Sequence, residues 1–407
     1  MEKISIQNFA GIQEMDFEFK SVNILIGPQG SGKSVTAKLH FFFTSFFQEL
    51  IGTILKGEDL DLLKDIQEEK FLTFFPRDTW PSDNFKITYS IGEVHFAINK
   101  TDNQLQFTYS DYVQAAISKV KAAYEEEADK LNRISKNNTD AERIKELINQ
   151  HIHESLSNNQ FFIPAGRSYF ANFQSNIFLL LKTNSSLDPL LIEFGANYEA
   201  LKRIYKNKSL YPDKADTAFD EIIAEILSGD YIREDNEDYL VHKDKRKVNL
   251  SNASSGQQET LPLIIFLWVL HHGTLGGATI YIEEPEAHLF PNAQKAITQL
   301  LARVFNDSEH AFQIFVTTHS PYILSSFNNL LEAGRLAELM PDKARDIERI
   351  VPYQEQLKSG LLTAYSISNG KIGNLIDQET NLITQTELDN ISNDIAIEFG
   401  KLLDIEF

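Results

Sequence analysis

The chain has 407 residues, 42% of them apolar, and carries 58 acidic against 38 basic residues, a formal net charge of −20. It holds no cysteine, which excludes a disulfide framework, a thiolate metal site and a cysteine nucleophile. So acidic a chain is not built for broad adhesion to nucleic acid; duplex DNA stays open as a ligand only through a local basic patch, and a basic protein is an equally suitable partner.

The length suits two or so domains, or one large domain with insertions. Met1-Glu2-Lys3 runs directly into a strand pattern, with no signal-peptide pattern. The longest clean apolar run, Leu261 to Leu270, is too short to span a bilayer. A soluble, cytoplasmic protein with no membrane contact is therefore expected.

Residues 1–26 read as a β-meander: Ile4 and Ile6 alternate with polar neighbours, Phe17 and Phe19 do the same, and Ile24 to Ile26 form a continuous apolar run. A helix is predicted from Val35 to about Leu55, and its Phe41–Phe47 stretch suits a core or a subunit interface. Residues 57–70 are acidic and read as helical. Three antiparallel strands follow between 85 and 110, separated by turns at Gly92 and at Asp102-Asn103. Between 111 and 157 apolar residues recur three or four apart, with a break and an N-cap signal at Lys136 to Asp140. This reads as a helical hairpin, either packed on the body or projecting as an arm. Phe161-Phe162-Ile163 reads as a buried strand, 173–230 as helical, and Tyr231 to Val248 as a polar hairpin with a basic run from Lys243 to Lys247. From Leu250 the order loop, helix, strand, helix, strand fits a parallel α/β core. The end reads as a strand, Leu361 to Ser368, a tight turn at Asn369-Gly370, and an amphipathic helix from Glu387 to Leu403.

Four segments carry chemistry. The first is Gly27-Pro28-Gln29-Gly30-Ser31-Gly32-Lys33-Ser34, a full match to the phosphate-binding loop G-x-x-x-x-G-K-[ST] between a strand end and a helix opening at Val35. Backbone N–H groups of such a loop point inward at a phosphate chain; Lys33 would reach the β- and γ-phosphates, and the Ser34 hydroxyl would hold Mg²⁺. The second is Ala278 to Glu286, an apolar strand ending in Glu283-Glu284-Pro285-Glu286. Phosphoryl transfer to water needs one carboxylate for Mg²⁺ and one for the attacking water, and the order along the strand assigns these to Glu283 and Glu284. The third, Leu250 to Glu259, places Ser254, Ser255, Gly256 and Gln257 at a helix start: a second anion site, or an ordinary serine-rich cap. The fourth, Thr317-Thr318-His319-Ser320, ends another buried strand, where a neutral imidazole would bond a γ-phosphate oxygen or the attacking water.

This order of motifs is similar to that of ABC-type ATPases of the OLD (overcoming lysogenisation defect) and SMC-like group. The resemblance covers most of the chain. It implies a mixed β-sheet with flanking helices and an antiparallel β-subdomain, divided as 1–84 with the P-loop, 85–160 as a β and helical-hairpin insertion, 161–330 with the remaining motifs, and 331–407 as a small α+β appendage suited to docking a partner. It implies ATP and Mg²⁺ as cofactors and ATP hydrolysis to ADP and phosphate, with residues 27–35, Val35 included, around the nucleotide. Ser254, Ser255, Gly256 and Gln257 would engage ATP held by a second subunit, so at least a dimer is implied. Glu284 would be the hydrolytic glutamate, His319 the switch histidine, and Glu286-Ala287-His288 the contact loop between subunits.

The chain departs from that pattern in two places. Glu283 stands where Asp is commoner and Ser255 replaces a signature glycine; the position of the family's Q-loop glutamine is left open. Ile163-Pro164-Ala165-Gly166-Arg167 resembles the Ile-Pro-Ala-x-Arg segment of the group, putting Arg167 near the nucleotide or the interface, or in a surface ion pair. After His319 no Asp-x-Asp pair follows an apolar strand, and Asp377 and Glu379 are isolated, so no Toprim nuclease is expected. Stand-alone ATPases of this kind resemble those of the anti-phage systems PARIS and Septu. That implies a separate effector protein, often a nuclease, and a phage-derived trigger. The rivals are an SMC-like DNA-clamping ATPase and the nucleotide-binding subunit of a membrane transporter.

Overall fold

The computed structural model describes residues 1–58, 62–80, 84–101, 104–131, 146–150, 158–172, 188–207, 216–273, 277–307, 312–384 and 387–403. The described residues form a mixed α/β structure built on three sheets.

The central sheet has six strands. Its parallel part runs β13 (Leu362–Ser368), β3 (Val22–Ile26), β12 (Phe312–Thr318), β11 (Ala278–Glu283) and β7 (Asn159–Ile163), and β14 (Lys371–Asn374) closes one edge antiparallel to β13. Strands covered on both faces must be apolar at successive positions, and β3 and β11 are buried throughout. Alternation then sorts the residues into two cores. Ile24, Ile280, Ile282, Ile314 and Val316 face one way, and Leu25, Tyr281 and Phe315 the other.

The first core is completed by α5 (Pro189–Lys206), α6 (Thr217–Leu227), α7 (Ser255–His272), α8 (Pro291–Asn306) and α9 (Pro321–Leu339). The second is completed by α1 (Lys33–Thr44), α2 (Phe46–Lys56), α3 (Leu62–Phe74), α4 (Asp111–Leu131) and an antiparallel sheet. That sheet runs β2 (Ile12–Phe19), β1 (Glu2–Phe9), β4 (Phe85–Ile91), β5 (Val94–Thr101) and β6 (Gln104–Tyr109). Helix α1 is clamped between the two sheets: Phe43 stacks on Tyr89 of β4, and Phe41 packs edge-on against Tyr281 of β11. Phe41, Phe42, Phe43, Phe46 and Phe47 are all buried. Together they supply on the order of 10 kcal/mol of burial before chain entropy is set against it. The phenylalanine run is therefore core.

Several expectations are corrected. Strand β3 leaves the β1–β2 hairpin for the central sheet, so residues 1–26 are not one meander. The long first helix is two helices. Thr44 Oγ1 and Ser45 Oγ donate back to the carbonyls of His40 and Phe42, which competes with the helical ladder at the join. The expected polar hairpin has a third strand, the sheet being β8 (Asp230–Glu234), β9 (Glu237–Val241) and β10 (Lys247–Asn249) in the order β10-β9-β8. The segment after 330 is not set apart from the body: α9 runs through that boundary, and β13 enters the central sheet beside β3. Residues 85–110 likewise join β1 in one sheet, across the boundary drawn at 84. Of the expected helical hairpin, α4 and the helical residues 146–150 are described; its turn, the N-cap signal at 136–140 included, lies outside the described residues. So do 173–187 and 208–215 of the stretch expected to be helical. The terminal helix, α10 (Glu387–Leu403), lies where it was expected.

Candidate nucleotide-binding site

The C-terminal ends of β3, β12, β11 and β7 lie side by side, and the motif residues stand there. Crevices at such strand ends are the usual ligand sites of parallel sheets. The P-loop passes from β3 into α1 with Gly32 as N-cap at φ +105°, a left-handed conformation that a side chain would strain. Lys33 is buried. Its Nζ donates to the carbonyls of Gly27 (2.7 Å) and Pro28 (2.8 Å) and lies 3.4 Å from His319 Nδ1. Burial pulls the ammonium down from the ordinary lysine range, opposed by the charges of Glu284, Glu286 and Glu283. Ser34 and Gln29 are exposed, Val35 half-buried.

Glu283 and Glu284 end β11 level with Thr317 on β12. Glu283 is buried: its Oε2 accepts from Ala165 N at 3.3 Å, and its Oε1 has no partner. Glu284 has φ +45° and donates its N–H to Thr317 O at 2.8 Å. Its Oε1 lies 3.1 Å from His319 Nε2. The imidazole thus stands between Lys33 and Glu284. Glu286 holds the strand carrying it: Oε1 accepts from Thr318 Oγ1 and from His319 N, each at 2.7 Å, while the buried Oε2 has no partner.

The donor set fits Mg²⁺. A buried carboxylate oxygen of Glu283 has no partner and could face a cation, and the exposed Ser34 hydroxyl stands at the first turn of α1. Among the described residues no cluster of three or more His, Cys, Asp or Glu could form a metal cage.

Ser254 and Gln257 are not joined to this group by any hydrogen bond among the described residues. They cap α7 reciprocally: Gln257 N donates to Ser254 Oγ at 3.3 Å, and Ser254 N to Gln257 Oε1 at 3.1 Å. Ser254 and Ser255 are exposed. Gly256 is buried against His288, where a Cβ would lie 2.7 Å from His288 O.

One feature is only half legible in the sequence and another is hidden. The surface ion pair considered for Arg167 is overturned, since the side chain is fully buried and donates to backbone carbonyls. Its partner Glu259 was not singled out. It is the one carboxylate of α7, set just before a long apolar run, and a charge at the edge of so apolar a helix is the signal that could have found it. The segment beside Glu283 in space is 163–167, which contains no glutamine. The basic run is partly neutralised locally, Arg246 by Asp244 at 2.6 Å within the β9–β10 connection and Lys247 by Glu234 of β8. Asp377 sits in a surface turn and accepts from the backbone N of Glu379 and Thr380. Among the described residues no helix is long and apolar enough to cross a membrane.

The P-loop strand β3 lies beside β12, which ends in Thr-His, and β12 lies beside β11, which ends in the paired glutamates; this arrangement defines a P-loop ATPase domain. The family profile for the AAA ATPase domain matches residues 1–324, and the chain belongs to that family. Similar solved structures include the SMC head domain from Thermotoga maritima, at 13% identity and TM-score 0.36, with 91% of this chain and 97% of that one covered. The Smc head domain with an extended coiled coil, bound to the C-terminal domain of ScpA and derived from Pyrococcus furiosus, is also 13% identical, with TM-score 0.36 and coverage of 92% and 96%. The recombination mediator protein RecF matches at 13% identity and TM-score 0.31, with coverage of 92% and 97%. No curated protein matches the chain.

Proposed function

We propose that the chain binds ATP at Gly27–Val35 and hydrolyses it, with Glu284 positioning the attacking water and His319 bonding the γ-phosphate or that water. Lys33 releases the Gly27 and Pro28 carbonyls to meet the phosphates, and Ser34 and Glu283 hold Mg²⁺. The ion, when bound, neutralises charge on the phosphate oxygens. The observation that carries this reading is the convergence of Lys33, His319 and Glu284, within 3.4 Å and 3.1 Å of the imidazole, beside the unpartnered oxygen of Glu283.

Ser254, Ser255, Gly256 and Gln257 act on ATP held by a second copy. The exposure of Ser254 and Ser255 at a helix start, with no hydrogen bond to Lys33 among the described residues, supports a role in trans. The ATPase in turn controls a separate effector protein in anti-phage defence, a reading supported by the motif order.

Lys33→Ala and Glu284→Gln should each abolish turnover, with Glu284→Gln retaining ATP; undiminished hydrolysis in either variant refutes the site. Tagged Glu284→Gln protein, expressed with its native neighbouring genes, should co-purify with a stoichiometric small protein in a complex of two or more ATPase chains. Recovery with duplex DNA alone would move the assignment to a DNA-clamping ATPase.

A further inference from the structure

We propose that Arg167 and Glu259 are a positioning pair: they tie the helix that opens at Ser254–Gln257 to the backbone carrying Glu283 and Glu284, and set the rate of turnover without touching nucleotide. The inference rests on the ATPase reading above.

The guanidinium of Arg167 is fully buried and spent on carbonyls of three separate segments. Nε donates to Glu259 O of α7 at 3.0 Å. Nη1 donates to Pro164 O, after β7, at 2.9 Å and to Glu283 O at 2.7 Å. Nη2 donates to Glu284 O at 3.0 Å and lies 3.4 Å from the Glu259 carboxylate. That carboxylate accepts the backbone N–H of Arg167 at 2.9 Å and of Ser168 at 2.8 Å. A planar fork with several fixed donors can make such a junction; a lysine cannot.

The junction grips the place where the backbone is strained. Glu284 has a positive φ, a conformation that persists only when its surroundings over-determine it. It is held from one side by Thr317 O and from the other by Arg167. Released from Arg167, the peptide can relax, and the Glu284 carboxylate leaves its place 3.1 Å from His319. Through Glu259 the same grip reaches α7 one turn beyond Ser254, and Gly256 of that turn abuts His288 O. A shift of the α7 N-terminus on meeting a phosphate therefore bears on Glu284 through two contacts within one chain. Neither Arg167 nor Glu259 is accessible to ligand.

The test uses the full chain with ATP and Mg²⁺ and compares Arg167→Lys, Glu259→Gln and the paired change Arg167→Met with Glu259→Met. Replacing both charges together leaves neither member of the pair as an unpaired buried ion, though the backbone groups that the pair satisfied lose their partners, so melting is followed beside turnover. For all three, kcat should fall about 10²-fold, the usual cost of misplacing a reacting group by about an ångström. KM for ATP should stay within about threefold, and the mass of the ATP-bound dimer should be unchanged. Wild-type kcat in any correctly melting variant overturns the proposal. So does loss of ATP binding and melting temperature in step with kcat in all three, which assigns the pair to fold stability alone. Absence of turnover in the wild-type chain would be a failure of the ATPase reading instead.

Discussion

Replacing Glu286 with Gln isolates the charge that holds the histidine strand in place. Oε1 accepts two hydrogen bonds, from Thr318 Oγ1 and His319 N, both at 2.7 Å, and the residue is buried. Bonds to a charged acceptor contribute about 1.5–3 kcal/mol and neutral ones about 0.5–1.5, so each bond should lose about 1–1.5 kcal/mol and the site about 2–3 kcal/mol. The new amide nitrogen falls where Oε2 already lacks a partner, so that half of the group adds little. Guanidinium unfolding of the nucleotide-free chain should show this loss. Turnover should fall between about 10- and 100-fold, because the imidazole lies 3.1 Å from Glu284 and 3.4 Å from Lys33 only while its backbone is held. If Glu286→Gln melts and turns over as the parent does, the carboxylate is not what positions His319, and the geometry argued for the site is wrong.

Two other perturbations test different parts of the structure. Glu2 bonds to His40, Tyr89 and Gln313, joining β1 to α1 and the central sheet. Burial pushes its carboxyl up, but the charge of His40 and these three hydrogen bonds prevail and hold it at about 2. The folded value lies below the unfolded one, so the stabilisation, about 3 kcal/mol, is present above pH ~4.5 and is lost as pH falls toward ~2. Glu2→Gln should therefore lie below the parent in stability at neutral pH, with the gap closing over that window; a constant gap contradicts the assignment. Gly256→Ala should drive a methyl group into His288 O and push the α7 N-terminus off that residue. The cost should be about 1–3 kcal/mol of overpacking, read by thermal melting; wild-type melting would show that the contact is loose.

What the sequence showed and what it hid divide by the range of the interactions involved. The P-loop, the paired glutamates of β11 and the Thr-His of β12 are local patterns, each a buried strand running into the residues it presents, so residue types alone located them. The capping box at Ser254 was legible for the same reason: an N-cap and its N3 partner are three residues apart. Strand β13 was found as a strand but not as the neighbour of β3, because Leu362 pairs with Val22 across the whole chain and nothing in Leu-Thr-Ala-Tyr-Ser-Ile-Ser specifies that partner. Arg167 was noticed without its role, since a guanidinium that bonds carbonyls leaves no complementary charge pattern to read. Glu259 was overlooked because a single carboxylate in a helix is ordinarily a solvated one.

The insertion of β13 beside β3 bears on how the protein is made. The strand that leads into the P-loop is complete at Ile26, yet its two neighbours in the sheet are β12 and β13, which end at Thr318 and Ser368. At about 5–20 residues per second on the ribosome, roughly 20–70 s separate synthesis of β3 from synthesis of its second neighbour. Until β12 is made the apolar strand has two unsatisfied edges, and until β13 is made it has one, exposed to pairing with other chains. A polypeptide released before residue 362 cannot close that edge of its own sheet and is a candidate for aggregation or for capture by chaperones.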